Sequence, residues 1–333
     1  MNEFLDYDNR FPHLVVDILE YFDINNGKPI AQKSVMDFCT IISKKYIPAT
    51  QNEMIQPEIV VKICERLHQE NKLSIIHRGG SLNINNNYGF VINDKCVWNN
   101  HIKYITHYYN CLVYGFEYIY KVYKNMVLPI VAYKGDMPHI GSCFKYATGI
   151  VTARHCLTDG DRFAIKGYSA EELYSAQIYV SENPNIDIAF IDTKNSVDIF
   201  CSEPHILDDV LVMGYPMIPR FLDFCTAEKA TISTIADLRM TPSRGSIVAM
   251  ADELFTKNIT KLMLITARIR GGNSGGPVIN KYGLVVGVSF SDAKGEGNSY
   301  DDLGYGIACP MSVLDKIIAE KNLLKVRFVD FIE

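Results

Sequence analysis

Residues 270–278 have the sequence Arg-Gly-Gly-Asn-Ser-Gly-Gly-Pro-Val, and this stretch decides the interpretation of the chain. The glycines on either side of Ser274 allow a tight turn, so that neighbouring backbone N–H groups can point towards one spot. Donors arranged in this way stabilise the oxyanion of a tetrahedral intermediate, usually the largest single contribution to catalysis of acyl transfer. The segment therefore predicts that Ser274 is a nucleophile with an oxyanion hole beside it.

The order of the candidate residues along the chain selects between two folds. Residues 272–276 also fit the G-x-S-x-G nucleophile elbow of α/β-hydrolases. In that fold the histidine follows the serine, whereas the last histidine of this chain is His205. The elbow is therefore excluded, and the alternative order His, Asp, Ser applies.

The histidine and the aspartate of this order are His155 and Asp187. Residues 149–153 form an apolar run that places His155 at the end of a strand. Asp187 precedes an alternating apolar run, so its carboxylate can lie beside the imidazole, fix the tautomer and stabilise the imidazolium. Asp159 and Asp192 remain as alternatives to Asp187.

Five short motifs resemble those of the trypsin/chymotrypsin superfamily, and within it the HtrA (Deg) branch. In chain order they are Thr152-Ala153-Arg154-His155-Cys156, Asp187-Ile188-Ala189-Phe190, Gly214-Tyr215-Pro216, Gly272-Asn273-Ser274-Gly275-Gly276-Pro277 and Gly304-Tyr305-Gly306-Ile307-Ala308. The resemblance covers about residues 127–325 and implies an all-β, chymotrypsin-like double barrel of six strands in each half. It also implies a serine endopeptidase that cleaves a protein or peptide substrate through an acyl-enzyme.

The resemblance further implies an oxyanion hole at Gly272, Asn273 and Ser274, in which the N–H groups of Gly272 and Ser274 are the donors. Asn273 stands where secreted trypsin-like zymogens have an aspartate, which pairs with the amino terminus freed by activation cleavage. Asparagine has no charge for that ion pair. We therefore expect regulation by the ordering of loops when a partner or signal binds, with 236–260 as the candidate loop.

The substrate-binding residues implied by the resemblance lie on both sides of the nucleophile. Ser289, Phe290 and Ser291 match the strand that pairs with the substrate backbone, with Ser289 near Asp187 and Phe290 near the S1 pocket. Arg268 matches a position at the base of S1. A buried guanidinium there would favour an acidic P1 residue, the one before the cleaved bond. A guanidinium that points outward leaves an aliphatic or small P1 residue, which we expect.

Alternating apolar runs separated by turn residues predict strands throughout residues 127–325. These runs are 128–133, 148–153, 163–167, 176–180, 186–191, 209–214, 228–235, 261–267 and 283–290. A helix over roughly 311–322 follows. Because the chain ends soon after it, we expect no PDZ module of the kind that HtrA proteins carry.

Residues 1–98 have a different pattern, in which three helical segments precede two strands. The helical segments are 11–19, 30–46 and 57–70, and the strands are 73–77 and 88–92. This order predicts a winged-helix-like regulatory or adaptor domain, mostly helical, in front of the barrels. An apolar stripe over 99–126 predicts a connecting helix.

Composition narrows the function classes. The 333 residues carry a net charge of −5, which argues against a dedicated nucleic-acid binder. The amino terminus lacks the pattern of a secretory signal, and charges within the apolar stretch 102–123 exclude a membrane span. The sequence contains neither HExxH nor GxxxxGK[ST], so we expect no metal or other cofactor.

The nine cysteines show no CxxC spacing, which favours reduced thiols in a cytoplasmic protein over a zinc site or a disulfide framework. Cys143 and Cys156 fall close to the positions of a disulfide that is common in secreted relatives. Their strands would be neighbours, so a bridge between them is geometrically conceivable. The odd cysteine count favours two free thiols, and the bridge stays open as an alternative.

The amino-terminal domain favours a protein partner over DNA. Its candidate recognition helix, 58–70, carries a mixed set of charges: Lys62, Arg66, Glu58, Glu65 and Glu70. Such a face is more readily solvated than bound to phosphates, although scaffolding and DNA binding remain alternatives. Two other functions also remain for the chain, a catalytically silent protease-fold peptide-binding or sensor protein and a transcription factor with a protease-fold sensor half.

Overall fold

A computed structural model describes residues 3–27, 29, 33–48, 50–51, 53–80, 82–216, 239–252, 261–294 and 302–331. The chain forms two compact units, Met1–Ile119 and Tyr120–Glu333. The first unit is mostly helical, and the second consists mostly of β-strands.

The helices and strands of the first unit pack their apolar side chains against one another. Its helices and strands are α1 (Glu3–Arg10), α2 (Leu14–Phe22), α3 (Val35–Tyr46), α4 (Pro57–Gln69), β1 (Ser74–His77), β2 (Asn87–Gly89) and α5 (Lys95–Asn100). Ser34 and Asp37 form a capping box at the start of α3, and Pro57 opens α4, where its missing N–H costs nothing. The predicted helical amino-terminal region is confirmed, and its winged-helix assignment stays a prediction.

The helix α6 (Ile102–Tyr123) connects to the second unit. The sequence predicts one continuous helix here, but Gly115 has non-helical angles (φ 69°, ψ −156°) and divides α6 into two segments. Tyr123 is buried, and its hydroxyl donates to the carbonyl of Gly283 at 2.8 Å. No helix within the described ranges is both long and apolar enough to cross a membrane.

Among its described residues, the second unit contains two β-structures with short helices between and after their strands. Its elements are β3 (Val127–Lys134), β4 (Met137–Tyr146), β5 (Gly149–Thr152), β6 (Arg162–Ile165), α7 (Ala170–Tyr174), β7 (Gln177–Val180), β8 (Ala189–Asp192), β9 (Asp209–Gly214), β10 (Thr241–Asp252), β11 (Lys261–Ile265), β12 (Pro277–Asn280), β13 (Val285–Lys294), β14 (Asp302–Pro310), α8 (Val313–Glu320) and β15 (Leu323–Leu324).

The first β-structure has the strand order β15-β7-β8-β5-β4-β3-β6. The carboxyl-terminal segment joins its two edges, because β15 pairs with β7 while Phe328 forms a bridge to Phe163 in β6. The N–H of Phe163 donates to the carbonyl of Arg327 at 2.9 Å, and the N–H of Val329 donates to the carbonyl of Phe163 at 2.8 Å. This tail thus links the two edges of the seven-stranded sheet, which we call the first barrel.

The second β-structure is a closed barrel with the order β10-β11-β14-β13-β12-β9. Its core is built from inward residues of every strand, among them Val212, Ile247, Met263 and Val286, which are fully or almost fully buried. The chymotrypsin-like double-barrel fold predicted from the sequence is confirmed. The expected six strands are present in the second half, but the first half has seven, because the two-residue β15 pairs with β7.

The expectation of a loop over 236–260 is wrong in its middle, because β10 occupies Thr241–Asp252 and pairs with both β9 and β11. The sequence does not predict this strand, because close packing requires small residues there in place of an alternating apolar pattern. A Cβ atom at Gly245 would lie 2.1 Å from the backbone nitrogen of Ala267. Residues 236–238 and 253–260 of that loop, and the predicted strand 228–235, lie outside the described residues.

Candidate active site

His155 and Asp187 are brought together by neighbouring strands of the first barrel. His155 lies on a 3₁₀ turn just after β5, Asp187 lies two residues before β8, and β5 pairs with β8. The imidazole Nδ1 is 2.5 Å from Asp187 Oδ2, and the backbone N–H of His155 donates to Asp187 Oδ1 at 2.9 Å. The carboxylate therefore fixes both the ring and the main chain of one residue.

The two alternative carboxylates have other partners. Asp192 accepts from the hydroxyl of Thr148 at 3.0 Å and forms an ion pair with Lys194. Asp159 accepts from the hydroxyl of Thr158 at 3.4 Å, and only its backbone N–H contacts His155, through the carbonyl oxygen at 3.0 Å. The geometry thus places Asp187 alone of the three on the imidazole.

The protonation of His155 reflects two opposing effects. Burial of the imidazole lowers its pKa, but the hydrogen bond that it donates to Asp187, the neighbouring Cys156 thiol and the charge of Asp187 raise it more. The net pKa of His155 therefore lies above its ordinary value of 6.5. A carboxylate on Nδ1 also fixes the tautomer in which Nε2 is the basic nitrogen.

Ser274 is half-buried in the turn before β12. Its hydroxyl donates to the carbonyl of Phe290 at 2.9 Å, and its own carbonyl accepts from the N–H of Ser142 at 2.8 Å. Among the described residues, no hydrogen bond joins this hydroxyl to His155. The two residues nevertheless line the same cavity, of about 620 Å³.

Two backbone N–H groups of the turn that contains Ser274 have no acceptor among the described residues. Within the part of the chain that the structure describes, the N–H groups of Gly272 and Ser274 donate to no protein acceptor. The N–H of Asn273 is used differently, because it donates to the carbonyl of Arg270 at 2.9 Å. Of the three residues predicted for the oxyanion hole, Gly272 and Ser274 therefore offer free donors.

Glycine is required at two positions of this turn. Gly272 and Gly275 have φ angles of 100° and 88°, which L-residues rarely adopt. A Cβ at Gly272 would lie 2.2 Å from the carbonyl oxygen of Tyr215, and one at Gly275 would lie 2.0 Å from that of Ser142. The repeated glycines thus let the turn pack directly against neighbouring backbone.

Ser142, which the sequence analysis missed, fastens this turn to β4. It is fully buried, its hydroxyl donates to the carbonyl of Gly272 at 2.7 Å, and the N–H of Tyr215 donates to that hydroxyl at 2.8 Å. A serine within a buried strand must satisfy its hydroxyl. The polar residue inside an apolar run is the one sequence signal that could have identified it.

The residues around Ser274 differ in detail from their predicted environments. The hydroxyl of Ser289 donates to the carbonyls of Asn273 and Gly276, at 2.9 and 3.1 Å, rather than contacting Asp187. Asn273 is 4% exposed, and its Oδ1 has no hydrogen-bond partner among the described residues. The structure therefore places the Ser289 hydroxyl against the turn that contains Ser274.

The segment predicted to form the S1 pocket alternates in exposure. Arg268 is exposed, whereas Ile269 is buried beside Gly306, where an added Cβ would lie 2.6 Å from Ile269 Cδ1. Phe290 is half-buried and packs against the core of the first barrel, and the backbone of Ser291 pairs with Ile307. The inward-facing residue of this segment is therefore Ile269, which the sequence analysis did not select, and not Arg268.

The cavity beside Ser274 and His155 has an apolar floor and a charged rim. Ile130, Ala132 and Cys156 contribute to the floor. The rim carries Lys134, His139, Asp159 and Asp161. Among the described residues, no group of three or more His, Cys, Asp or Glu side chains could hold a metal ion.

Cys143 and Cys156 are both free and buried. Gly141 of β4 lies directly against Cys156 of the 3₁₀ turn, because a Cβ at 141 would lie 2.6 Å from Cys156 Sγ. Cys143 instead contacts the carbonyl of Leu128 through its sulfur, at 3.5 Å. The structure thus has the two thiols that the sequence favours.

One protein-family model matches part of the second unit. A protein-family model described as "Trypsin-like peptidase domain" matches residues 141–288, which include His155, Asp187 and Ser274. Together with the double barrel, this match supports a serine protease of the trypsin-like fold.

Two curated proteins are similar over about half of the chain. The protein named "Protease Do-like 2, chloroplastic", from Arabidopsis thaliana, is 24% identical over 188 residues, which are 54% of this chain and 28% of that protein. "Uncharacterized protein y4bJ", from Sinorhizobium fredii, is 27% identical over 164 residues, which are 46% of this chain and 23% of that protein. The chain thus spans about a quarter of the length of these relatives.

Solved structures are similar at lower sequence identity. The active form of the Rv3671c protease from M. tuberculosis has a TM-score of 0.45 and 19% identity, covering 62% of this chain and 86% of that one. The serine endoprotease from Yersinia pestis has a TM-score of 0.44 and 22% identity, covering 62% of this chain and 66% of that one.

Proposed function

We propose that the second unit is a serine endopeptidase, similar to HtrA proteases, in which Ser274 attacks the substrate, His155 is the general base and Asp187 orients the base. The observation that carries the proposal is the bond between His155 Nδ1 and Asp187 Oδ2 at 2.5 Å, in a cavity that Ser274 also lines. The unpaired N–H groups of Gly272 and Ser274 support it, because they can bind an oxyanion.

The proposed reaction has two halves that share one intermediate. Ser274 Oγ adds to the scissile carbonyl carbon while His155 Nε2 takes the hydroxyl proton, and the negative oxygen binds the two N–H groups. The protonated imidazole then donates its proton to the leaving amine, so that the C–N bond breaks and an acyl-enzyme remains. Water, activated by the same imidazole, hydrolyses the ester and restores Ser274.

The substrate that we propose has a small or aliphatic P1 residue. Ile269 belongs to the core of the second barrel, so the inward side of this segment is apolar and offers no partner for a charged side chain. The exposed position of Arg268 argues against an acidic P1 residue. The cavity of about 620 Å³ that Ser274 and His155 line offers space for a substrate side chain.

We also propose that the first unit recruits a protein partner or receives a signal that regulates the protease, in a reducing cytoplasmic environment. Arg66, the basic residue near the end of α4, supports a role other than DNA binding. Its guanidinium donates to the carbonyl of Val113 and lies 4.7 Å from the ring centre of Phe4. These two contacts give Arg66 a role within the first unit that does not require DNA.

Labelling with a fluorophosphonate tests the proposed chemistry. The purified protein is treated beside Ser274→Ala, and each intact mass is measured. We expect a single adduct on the unmodified sequence and none on the variant, because the probe reacts with a serine that has both a base and an oxyanion hole. Equal labelling of both proteins would contradict the assignment of Ser274.

A second candidate function is a catalytically silent peptide-binding or sensor protein. The observation that favours it is the bond from the Ser274 hydroxyl to Phe290, which leaves the base without its nucleophile. A silent protein would bind peptides, as measured by calorimetry, without forming an adduct or releasing product. Adduct formation that appears only with a partner protein would instead support a regulated enzyme.

A further inference from the structure

Glu320 is the last residue of α8, a position where a negative side chain is locally unfavourable. The helix dipole concentrates partial negative charge at the carboxyl end, where basic residues are preferred. A residue that is unfavourable in its own helix is expected to make favourable contacts with other parts of the fold. The contacts of Glu320 supply that compensation.

The Glu320 carboxylate binds the loop between β7 and β8. Its Oε2 accepts from the hydroxyl of Ser181 at 3.0 Å and from the N–H of Glu182 at 2.8 Å. Ser181 is 1% exposed, and its carbonyl accepts from Arg154 Nη1 at 3.2 Å and from Asn322 Nδ2 at 3.3 Å. A buried serine with both polar groups bonded fixes the start of the loop.

Hydrogen bonds continue from Ser181 to the residue before Asp187. The N–H of Asn183 donates to Ser181 Oγ at 3.2 Å. Asn183 in turn accepts from Asn185 N–H through Oδ1 at 3.0 Å and from Ile186 N–H through its carbonyl at 3.2 Å. Ile186 is buried, and Asp187 follows it directly.

We propose that Glu320 is a positioning residue for the candidate acid and base. Glu320 binds Ser181 at the start of the loop between β7 and β8, and this loop orients Asp187 at its other end. Arg154 is bonded to the same serine and directly precedes His155. The role of this network in catalysis rests on the proposed endopeptidase function. Its effect on the contact between His155 and Asp187 can be measured without turnover.

The test compares three variants of the full chain. Glu320→Ala removes the carboxylate, Glu320→Gln keeps an acceptor oxygen at the same place, and Asp315→Ala removes an exposed carboxylate from the same helix. Peptide hydrolysis gives kcat and KM. The low-field proton resonance of His155 Nδ1–H reports the bond to Asp187 directly, and thermal unfolding reports stability.

We expect Glu320→Ala to lower kcat by about tenfold to a hundredfold, with KM nearly unchanged, because displacing the acid misaligns the base. Its low-field resonance should shift or broaden. Glu320→Gln and Asp315→Ala should keep kcat within about threefold of the unmodified protein. If Glu320→Ala does not fold, Ser181→Ala removes the same hydroxyl contact without altering α8.

Two outcomes would overturn the proposal. In one, Glu320→Ala lowers the melting temperature but leaves both the resonance and kcat unchanged, which is a purely structural role. In the other, Asp315→Ala has the same effects as Glu320→Ala. If the unmodified protein shows neither labelling nor hydrolysis, the endopeptidase function fails, and the resonance still decides whether Glu320 positions Asp187.

Discussion

The hydroxyl of Ser274 donates a hydrogen bond to the main-chain carbonyl of Phe290, with 2.9 Å between the two oxygens. The carbonyl has no proton, so the serine must be the donor. His155 is already oriented through its other ring nitrogen by Asp187. In the proposed mechanism, the Ser274 hydroxyl must therefore leave the Phe290 carbonyl before His155 Nε2 can accept its proton.

Gly272→Ala should remove most of the proposed activity without disturbing the base. Alanine is strained at a φ of 100°, and its Cβ would lie 2.2 Å from the carbonyl oxygen of Tyr215, so the residue and its N–H must move. Loss of one oxyanion donor lowers kcat by about a hundredfold to a thousandfold. Steady-state hydrolysis of a peptide substrate measures the change.

Gly271→Ala is the matched control for that substitution, because nothing lies within 4 Å of a Cβ at Gly271. It should retain nearly full activity. Equal activities for Gly271→Ala and Gly272→Ala would contradict the assignment of the Gly272 N–H as an oxyanion donor.

The destabilisation caused by Asp187→Asn should become smaller as the pH rises. The pKa of His155 in the folded protein lies above 6.5 through its contact with Asp187. A raised folded pKa gives stability that is fully present below the unfolded value and is lost as the pH rises through the folded value. The difference in melting temperature between the two proteins should therefore be larger at about pH 6 than at about pH 9.

Asp159→Asn provides the control for this pH dependence. Asp159 lies in the same cavity, but its carboxylate does not contact the imidazole. Its melting-temperature difference should not follow the His155 titration. A difference for Asp187→Asn that grows with pH would show that the carboxylate does not raise the pKa of His155.

The sequence predicts the double barrel and identifies His155, Asp187 and Ser274 as candidate site residues, because short motifs encode local geometry. It does not predict β14, where Gly304 and Gly306 replace the apolar alternation of a strand. The close approach of Ile269 to Gly306 requires the small residue. Such a strand is defined by its neighbours and has no pattern of its own.

The environment of Ser289 could not be predicted for a related reason. Successive side chains of a strand point to opposite faces, so an offset of one residue exchanges the two environments. The pairing of β13 with β14 is irregular between Ser289 and Ser291. A motif does not reveal this irregularity, because it arises from pairing with a distant strand.

Gly141→Cys should form a disulfide with Cys156. A Cβ at position 141 would lie 3.5 Å from the Cβ of Cys156, which is within the range of native disulfides. Closing a loop of about 15 residues corresponds to a stabilisation of about 3 kcal/mol. Intact mass and thiol titration, with and without reductant, measure the bridge, and thermal unfolding measures the stabilisation.

The double variant Gly141→Cys with Cys156→Ser is the control, and it should remain fully reduced and gain no stability. A bridge between Cys143 and Cys156 in the unmodified protein would contradict the assignment of Gly141 as the residue that faces Cys156.

Arg66→Ala should destabilise the first unit. The substitution removes the hydrogen bond to Val113 and the contact with the Phe4 ring, which together contribute about 1–2 kcal/mol. Lys62→Ala, on an exposed position of the same helix, should change the free energy of unfolding by less than about 0.5 kcal/mol. Chemical denaturation measures both. Equal stability of the two variants, with DNA binding lost only in Arg66→Ala, would instead identify a phosphate contact.

Phe328→Ala should destabilise the first barrel although it lies near the end of the chain. Phe328 is half-buried against the same core as Leu324 and Val326, and its backbone bridges to Phe163 in β6. Truncating a partly buried aromatic side chain should cost about 2 kcal/mol. Thermal unfolding measures this loss.

Lys325→Ala is the matched control for Phe328→Ala, because Lys325 is exposed on the opposite face of the same extended segment. The alternation along this tail predicts that Lys325→Ala is nearly neutral, since an exposed side chain leaves no cavity when it is removed. If Phe328→Ala unfolds at the same temperature as Lys325→Ala, the tail does not join the edges of the first sheet, and the barrel must be stable without it.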